Sequence, residues 1–476
     1  MTRQYIFQSA LLEHGWAREV LVSVADDGLI TAIDLPGAAA AAAPGQTAPA
    51  AAARERVSGI VVPGMPNAHS HAFQRAMTGN TEYRLSARDS FWTWRQAMYG
   101  LAGGIEPDDL RVIATQLFIE MLKAGYTSVA EFHYLHRRPD GSAYGGANAL
   151  WDAVAEAATA AGIALTFLPT LYQTGDFGAE PLKREQARFR LESDAFVRAV
   201  GDRIGAERHA RPATLRTGAA FHSLRAVPLE ALREVTRALR AADATLPLHI
   251  HVAEQIREVE ACKLHTGRRP IELLLDTGLL DAHWCLVHAT HSTPAELRGI
   301  ASSEASVCVS ISTEANLGDG FFESARFLKA GGRLCVGSDS QATVCPAEEL
   351  RWMEYQQRLR KRRRNVLADT ADSHAGTRLW REAAQSGAVA IGRPAGVIAT
   401  GRRADWIVLD AGHPTLAGAP LENSLDHLLF AGAAAAIRDV MVAGRWVVKD
   451  GHHAAELPLR ESFAGAVSRG ASGYRS

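Results

Sequence analysis

Two kinds of apolar pattern divide the chain. In the middle, short apolar runs alternate with longer stretches of helical periodicity, as where "LRVIATQLFIEMLKAG" (110–125) precedes "YTSVAEFHYLH" (126–136). Near both ends, β-type runs such as "EVLVSVADDGLITAID" (19–34) and "IRDVMVAGRWVVKDG" (437–451) are separated only by Gly and Asp turns. Alternating strands and helices predict a parallel sheet, whereas turn-linked runs predict antiparallel strands. We therefore expect an α/β protein with a smaller β-rich domain built from both termini.

The length of the middle segment suits one closed barrel. Residues 63–395 are predicted to form a (β/α)8 TIM-like barrel, a unit that needs about 250 residues. Residues 1–62 and 396–476 are predicted to combine as a composite β-sandwich domain. The Ala- and Pro-rich segment near residues 37–54 has almost nothing specific to bury, so we predict a flexible loop there.

Composition restricts the partners. The 476 residues carry 51 Lys and Arg against 52 Asp and Glu, a formal net charge of -1. This balance gives no general attraction to nucleic acid or to an anionic membrane, so we predict neither as a partner. The first residues, "MTRQYIFQSALLEHGW", lack the apolar core of a secretion signal, and no unbroken run of apolar residues reaches the roughly 18 residues of a membrane span. We expect a cytoplasmic protein that acts on a small molecule.

A histidine pair stands out in "MPNAHSHAFQRA" (65–76), just after the apolar run Ile60–Val62. His69 and His71 are two residues apart, and residues i and i+2 of a strand point to the same face. If this is the first strand of the barrel, both imidazoles lie at its carboxyl end, where barrel enzymes place their active sites. The pair could then bind a divalent metal, although a lone histidine pair also occurs in surface loops.

A second cluster follows in "LPLHIHVAEQ" (246–255). The strand-like run Leu246–Val252 carries His249 and His251 on one face, and Glu254 follows its end. His251 can reach a metal, while Glu254 on the next turn stays close enough to move protons. We interpret His249, one layer deeper, as a supporting histidine of the core.

Two further apolar runs end in single polar residues. His288 follows Cys285–Val287, and Asp339 follows Leu334–Gly337. Either residue alone would fit a buried structural histidine or a helix-capping aspartate. An apolar strand that ends in one polar side chain is also typical of catalytic groups in barrels. Four strand ends in the order HxH, HxxE, H and D favour a metal-dependent active site.

This order resembles the amidohydrolase superfamily, in the branch of metal-dependent aminohydrolases that deaminate amidine-type carbons. The resemblance covers nearly the whole chain and implies the barrel and the composite β-sandwich named above. Carried over by position, His69, His71, His251 and Asp339 would bind one divalent metal ion, with Zn²⁺ as the expected ion. Superfamily members with two metals use a Lys or Glu from the fourth strand. The corresponding "TLRTGAAFHSLRAV" (214–227) contains neither, which favours a single ion.

The same resemblance implies catalytic roles. The metal would lower the pKa of its water, and Asp339 would accept the proton. His288 would steady the hydroxide and the developing tetrahedral centre. Glu254 would carry a proton to the leaving nitrogen, which then departs as ammonia.

Six short sequence strings make the resemblance more specific within the superfamily. The strings are "HSHAFQRAMTGNTEYR", "DSFWTWRQAMY", "EFHYLH", "FHSLRAVP", "TEANLGDGFF" and "PAEELRWMEYQQRLR". They closely resemble the formimidoylglutamate deiminases of bacterial histidine degradation, which hydrolyse N-formimino-L-glutamate, a substrate with two carboxylates. The resemblance implies substrate-binding roles for five residues: Gln74, Arg95, Tyr134, His222 and Arg225. We expect the two arginines to bind the two carboxylates, because guanidinium and carboxylate groups pair bidentately.

Two alternatives compete with this interpretation. One is another aminohydrolase of the same branch, acting on guanine, a triazine or an adenosine-like compound; a neutral ring would leave two cations unpaired in a dry pocket. The other is a catalytically inactive barrel, which the presence of Glu254 and His288 disfavours.

The sequence departs from the relatives at Phe221, Ser310–Thr313 and Gln341–Cys345, where we expect effects on pocket shape and turnover. Dimers are common among the relatives, so a homodimer is one expected assembly.

Overall fold

The structure is a computed structural model that describes residues 2–36, 54–83, 89–145, 148–210, 214–370, 372–432 and 434–471. The loop predicted near residues 37–54 lies outside the described residues except for Arg54, which begins a strand.

The described strands and helices alternate along most of the chain. The strands are β1 Arg3–Leu12, β2 Gly15–Val24, β3 Ile30–Asp34, β4 Arg54–Pro63, β5 Met65–Ser70, β6 Tyr126–His133, β7 Ala164–Leu171, β8 Leu215–Thr217, β9 Ala219–Phe221, β10 Leu248–Val252, β11 Trp284–His288, β12 Ser306–Val309, β13 Arg333–Val336, β14 Trp406–Leu409, β15 Ile437–Val442 and β16 Arg445–Val448. The α-helices are α1 Phe91–Gly104, α2 Pro107–Ala124, α3 Ala149–Ala161, α4 Ser193–Ala210, α5 Leu229–Ala242, α6 Ile256–Thr266, α7 Pro270–Leu275, α8 Pro294–Ser302, α9 Ile311–Leu317, α10 Ser324–Lys329, α11 Pro346–Lys361, α12 Ala375–Ala390, α13 Ser424–Phe430 and α14 Glu456–Ala471. Within the described part of the chain, none of these helices combines the length and the apolar character needed to cross a lipid bilayer.

The predicted (β/α)8 barrel is confirmed. Eight parallel strands follow one another in the order β5, β6, β7, β9, β10, β11, β12 and β13, and the short strand β8 pairs with β7 beside β9. A parallel bridge between Ser70 and Asp339 brings the end of β13 back to β5, so the barrel is nearly closed. The carboxyl ends of all eight strands therefore meet at one face.

The local sequence explains these elements. Strands β6 and β7 are buried along their whole length, as parallel strands are when helices cover one face and side chains fill the other. Helix α2 begins with Pro107, whose missing N–H costs nothing in the first helical turn. Gly125 ends the helix at a φ of 103°, a left-handed conformation that glycine adopts without strain.

The N- and C-terminal segments form one continuous sheet of seven strands, in the order β16, β15, β14, β4, β1, β2 and β3. Strand β4 joins the halves, because it pairs in parallel with β1 and antiparallel with β14. The separate core of this sheet includes Phe7, Val22 and Trp406, all fully buried. Both ends of the chain thus contribute to one β-rich domain beside the barrel.

The apolar run before the histidine pair belongs to the terminal sheet. Ile60–Val62 lies in β4, whereas His69 lies in β5 and His71 directly follows it. Gly64 separates these strands, and a Cβ atom there would meet the Thr127 side chain at 2.2 Å. A residue without a side chain therefore suits this passage from the terminal sheet into the barrel.

Candidate active site

Three histidines meet at the carboxyl face of the barrel. The Nε2 atom of His251 lies 3.1 Å from Nε2 of His69 and 3.3 Å from Nε2 of His71. Oδ1 of Asp339 lies 3.5 Å from Nε2 of both His69 and His71. The structure thus brings together the four residues that the sequence predicted as metal ligands.

Barrel closure places Asp339 beside the histidine pair. His71 N–H donates to the Asp339 carbonyl at 3.1 Å, and Asp339 N–H donates to the His69 carbonyl at 3.0 Å. Glu131 fixes the same segment from β6, where its carboxylate accepts Ser70 Oγ–H at 2.7 Å and Ala72 N–H at 2.6 Å. The two ligand segments, far apart in the chain, are therefore held by a common backbone network.

The donor set fits a metal ion. His71 Nδ1–H donates to the Phe132 carbonyl and His251 Nδ1–H donates to the His222 carbonyl, each at 2.8 Å, so both Nε2 atoms carry lone pairs. Facing lone pairs repel unless a cation lies between them. Tetrahedral zinc with Zn–N bonds of about 2.0–2.1 Å would hold two nitrogens about 3.3 Å apart, close to the spacing here.

Burial keeps these imidazoles neutral, whereas the neighbouring histidines keep the Asp339 carboxylate charged. Desolvation, reinforced by His69, lowers the pKa of His71 to about 3, and desolvation also lowers the pKa values of His69 and His251. Burial opposes ionisation of Asp339, yet its hydrogen bond to His69 and the nearby histidines hold its pKa below the usual range. Neutral imidazole and ionised carboxylate are the forms that bind a divalent metal.

Two of the predicted catalytic residues, His288 and Glu254, lie beside the histidine cluster. His288 Nε2 is 3.6 Å from Oδ2 of Asp339 and 3.8 Å from Oε1 of Glu254. Burial raises the pKa of Glu254 to about 7. Burial would lower the pKa of His288, but Glu254, Glu314 and Asp339 raise it well above its ordinary value. The predicted proton carriers are therefore adjacent and lie within reach of one reacting centre.

The turn that carries Glu254 is held by a carboxylate clamp. Glu258 Oε1 accepts Ala253 N–H and Glu258 Oε2 accepts Glu254 N–H, each at 3.1 Å. Ala253 has a φ of 51°, so these hydrogen bonds support a strained left-handed residue. Glu258 was not among the predicted site residues, because its contacts are with the backbone of a turn that the sequence pattern does not define.

The five predicted substrate-binding residues all line one pocket: Gln74, Arg95, Tyr134, His222 and Arg225. Glu254, His288 and Asp339 line the same pocket. Gln74 Nε2–H donates to Tyr134 Oη at 2.9 Å, which orients both side chains. His222 follows β9 and its carbonyl accepts the His251 hydrogen bond, so a pocket residue also positions a candidate ligand.

The two arginines of this pocket lack carboxylate partners. Arg225 is only 6% exposed, and among the described residues neither Arg225 nor Arg95 forms an ion pair within 4.0 Å. The Arg95 guanidinium lies over the Trp92 ring at 4.5 Å and the Tyr99 ring at 5.6 Å. Burial opposes the charge of Arg225, but Glu258 and Glu254 raise its pKa without pairing directly with it. Each guanidinium can therefore still bind an anion directly, and such a partner would offset the cost of burying the charge.

Several pocket residues were missed by the sequence reasoning. Tyr172 and Tyr99 line the pocket, and the Gln186 amide donates to Tyr172 Oη at 2.8 Å and to Tyr99 Oη at 3.2 Å. Tyr172 directly follows β7, so the pattern of an apolar strand followed by a polar residue could have identified it. Glu314, which contacts His288, sits inside the quoted string "TEANLGDGFF" without a pattern that marks its role.

The departures from the relatives lie around the pocket. The Phe221 ring stacks on Trp284 at 5.7 Å, and Thr313, which lines the pocket, shares a hydrogen bond with Ser340 at 3.0 Å. Gln341 Nε2–H donates to the Asp339 carbonyl at 2.6 Å and to Ser70 Oγ at 3.1 Å. These residues therefore pack beside the site or support the closure of the barrel.

Comparison with known proteins identifies the family. Residues 60–447 match the amidohydrolase family. The chain is 47% identical over 456 residues to a formimidoylglutamate deiminase from Pseudomonas aeruginosa, an alignment that covers 96% of this chain and 97% of that protein. A crystal structure of an amidohydrolase from Brucella melitensis matches with a TM-score of 0.88 and 37% identity over 98% of this chain and 100% of that one. An adenosine deaminase from Xanthomonas campestris with bound zinc shares the fold, with a TM-score of 0.78 at 20% identity over 98% of each chain. The chain therefore belongs to the amidohydrolase family and, within it, to the formimidoylglutamate deiminases.

Proposed function

We propose that this protein hydrolyses N-formimino-L-glutamate to N-formyl-L-glutamate and ammonia, as a step of histidine degradation in the cytoplasm. One observation carries the choice of substrate. Arg95 and Arg225 share the pocket of the histidine cluster and have no ion-pair partner among the described residues. A substrate with two carboxylates and one formimino group supplies both missing anions and a C=N carbon.

Zn²⁺ is the proposed ion, held by His69, His71, His251 and Asp339. Three imidazole nitrogens and one carboxylate suit a catalytic zinc site better than thiolate-rich structural sets do. When bound, the metal would supply Lewis-acid activation of a water molecule. The zinc bound to the Xanthomonas campestris adenosine deaminase is consistent with this choice.

The substrate would be positioned by polar groups around the pocket. Each guanidinium can bind one carboxylate through two parallel N–H donors, which fixes both ends of the glutamate. Gln74, Tyr134 and His222 would hydrogen-bond the polar atoms between them. Fixing the substrate at several points holds the formimino carbon beside the water, and this positioning lowers the barrier.

The side chains then move the protons of a balanced hydrolysis. Water adds to the formimino carbon, and Asp339, whose low pKa keeps it ionised, accepts a proton from that water. His288 hydrogen-bonds the incoming oxygen and stabilises the negative charge that develops there. Glu254, with a pKa of about 7, delivers a proton to the former C=N nitrogen. Glu254 then takes the hydroxyl proton of the tetrahedral carbon and delivers it to the same nitrogen, so the C–N bond breaks, ammonia leaves, and the carbon keeps the oxygen as a formyl group. The proton held by Asp339 returns to Glu254, which restores both side chains.

Ammonia release tests the proposal directly. The zinc-loaded protein is incubated separately with N-formimino-L-glutamate, guanine and adenosine, and a zinc-depleted sample is run beside it. We expect ammonia from the formimino compound alone, and we expect zinc depletion to abolish it. Release from guanine or adenosine but not from N-formimino-L-glutamate would reject the substrate while keeping the aminohydrolase class. A zinc-loaded protein without activity on any of the three would favour the inactive barrel.

A further inference from the structure

Glu314 is a buried carboxylate that the reaction above does not use. It lies in α9, which follows β12, and its side chain is fully buried. Oε1 accepts Ser310 N–H at 3.1 Å and lies 3.2 Å from Nδ1 of His288. Among the described residues, no Lys or Arg forms an ion pair with it, so His288 is the polar side chain that Glu314 contacts.

This contact determines which nitrogen of His288 carries a proton. Oε1 of Glu314 already accepts Ser310 N–H, so it is also the acceptor toward His288, and Nδ1 of His288 is the donor. The opposite nitrogen, Nε2, is then presented to Glu254 and Asp339, at 3.8 Å and 3.6 Å. The backbone of His288 has a φ of 71°, a strained conformation for a residue with a side chain, which persists only where surrounding contacts enforce it.

We propose that Glu314 is a positioning residue, which acts through His288 by fixing the tautomer and the ring orientation of that histidine. The inference rests on the proposed function and adds a residue to it. Carboxylate–histidine pairs of this kind are the usual means by which proteins orient an imidazole, and losing such a partner typically costs about 10- to 100-fold in activity.

Two substitutions of Glu314 distinguish the effect of its hydrogen bond to His288 from the effect of its packing. Glu314→Met keeps the length of the side chain but removes the acceptor. Glu314→Gln keeps an acceptor, and because Ser310 N–H and His288 Nδ1–H both meet Oε1, the amide oxygen is the atom that suits this position. We expect kcat to fall about 10- to 100-fold in E314M, with KM and zinc content nearly unchanged, and to recover most of that loss in E314Q.

Glu354 provides the matched control. It is equally buried and accepts Val366 N–H at 2.8 Å and Leu367 N–H at 2.9 Å, but it makes no hydrogen bond to His288 among the described residues. Glu354→Met should lower the thermal midpoint as E314M does and leave kcat close to that of the wild type. If E314M fails to fold, Glu314→Asp replaces it, because a side chain one methylene shorter withdraws the acceptor from His288.

A double variant tests whether Glu314 acts through His288. With His288→Gln in place, adding E314M should cost little further activity, since the partner is already gone. Wild-type kcat in E314M, equal losses in E314M and E314Q, or an additive loss in the double variant would each overturn the proposal.

A spectroscopic measurement is independent of the substrate. In zinc-loaded protein, the Nδ1 proton of His288 should give a downfield proton resonance, identified by its absence in His288→Gln. We expect it to persist in E314Q and to shift or vanish in E314M. A resonance unchanged in E314M overturns the positioning role. A wild-type protein inactive on N-formimino-L-glutamate that still shows the expected shifts rejects the proposed function alone.

Discussion

At the scale of single residues, chemistry and backbone strain coincide. His288 and Asp339 have φ values of 71° and 45°, in the left-handed region that residues with side chains avoid. Strain of this kind costs about 1–3 kcal/mol per residue and persists only where surrounding contacts enforce it. Here hydrogen bonds from neighbouring strands do so, for example from Asp339 N–H to the His69 carbonyl. At these two positions the strained backbone carries a side chain that lines the pocket.

Removing one histidine of the cluster should remove the metal and the activity together. In His251→Ala we expect zinc content to fall well below one ion per chain and kcat to fall about 100-fold or more, because the ligand that bridges the cluster is lost. The two readouts are elemental analysis and ammonia release. His249→Gln is the control, since His249 donates from Nε2 to the Ala390 carbonyl instead and lies outside the cluster. A fully zinc-loaded His251→Ala protein would contradict the ligand assignment.

Removing an arginine should weaken substrate binding and leave the metal in place. For Arg225→Met and Arg95→Met we expect kcat/KM to fall about 10- to 100-fold, the loss of one charge-assisted contact of about 1.5–3 kcal/mol. Hydrolysis of N-formiminoglycine, which lacks the side-chain carboxylate, shows which of the two arginines binds that carboxylate. The variant that lost the partner of that carboxylate should hydrolyse the glycine compound as well as the wild type does. Unchanged kcat/KM for both variants on N-formimino-L-glutamate would refute the pocket assignment.

A site residue could be predicted from sequence where its position along a strand determines the direction of its side chain. His69 and His71 are expected to share a face because strands have a two-residue period, and both Nε2 atoms do reach His251, although His71 lies just beyond the end of β5. Tyr99 and Glu314 could not be found this way, because they reach the site from helices whose position depends on the packing of the whole barrel.

At the scale of elements, the join between β13 and β5 is the critical one. Gly337 follows β13, and a Cβ atom there would lie 2.7 Å from both Cβ and the carbonyl oxygen of His69. No side chain fits without pushing the histidine strand away. The same close approach that closes the barrel therefore brings Asp339 to the histidine cluster.

Gly337→Ala should damage stability and metal binding together. We expect a loss of about 1–3 kcal/mol in the free energy of unfolding, as for an overpacked core, with weaker zinc affinity. Gly205→Ala is the control, because Gly205 is exposed in α4 and an added Cβ meets nothing within 4 Å. That variant should gain about 0.5–1 kcal/mol from helix propensity. Denaturant unfolding and zinc titration measure both, and a Gly337→Ala protein with wild-type values would contradict the proposed role of this contact.

The sequence predicted the elements better than their boundaries. The runs Cys285–Val287 and Leu334–Gly337 fall on β11 and β13, and each end differs by one residue. The fourth barrel position is less regular, since two short strands, β8 and β9, stand there and both pair with β7. Gly218 separates them, in a segment whose apolar pattern alone reads as one run.

At the scale of the whole molecule, we expect the barrel to depend on the chain ends. Strand β4 pairs with β14 from Pro63–Trp406 to Ile60–Leu409, directly before the chain enters the barrel. The Trp406 ring also packs edge-on against Phe7 at a centroid distance of 5.0 Å. We therefore expect the terminal sheet and the barrel to fold as one unit, although no residue of this sheet in the described ranges lines the pocket.

Deleting residues 397–476 should abolish soluble expression. The deletion removes β14, β15 and β16, and it exposes the edge and the apolar surface of β4, which favours aggregation. Soluble yield and ammonia release relative to the full-length chain are the measurements. A truncated protein that is soluble and active would show that the barrel folds without the composite domain.

The central claim is that one metal ion and two arginine-bound carboxylates meet at this barrel face. A crystal structure of the zinc-loaded protein with N-formyl-L-glutamate, recorded at the zinc absorption edge, tests it most directly. We expect a single anomalous peak within bonding distance of His69, His71, His251 and Asp339, with the two product carboxylates on Arg95 and Arg225. A peak elsewhere, a second metal in the pocket, or a product whose carboxylates avoid both arginines would contradict it.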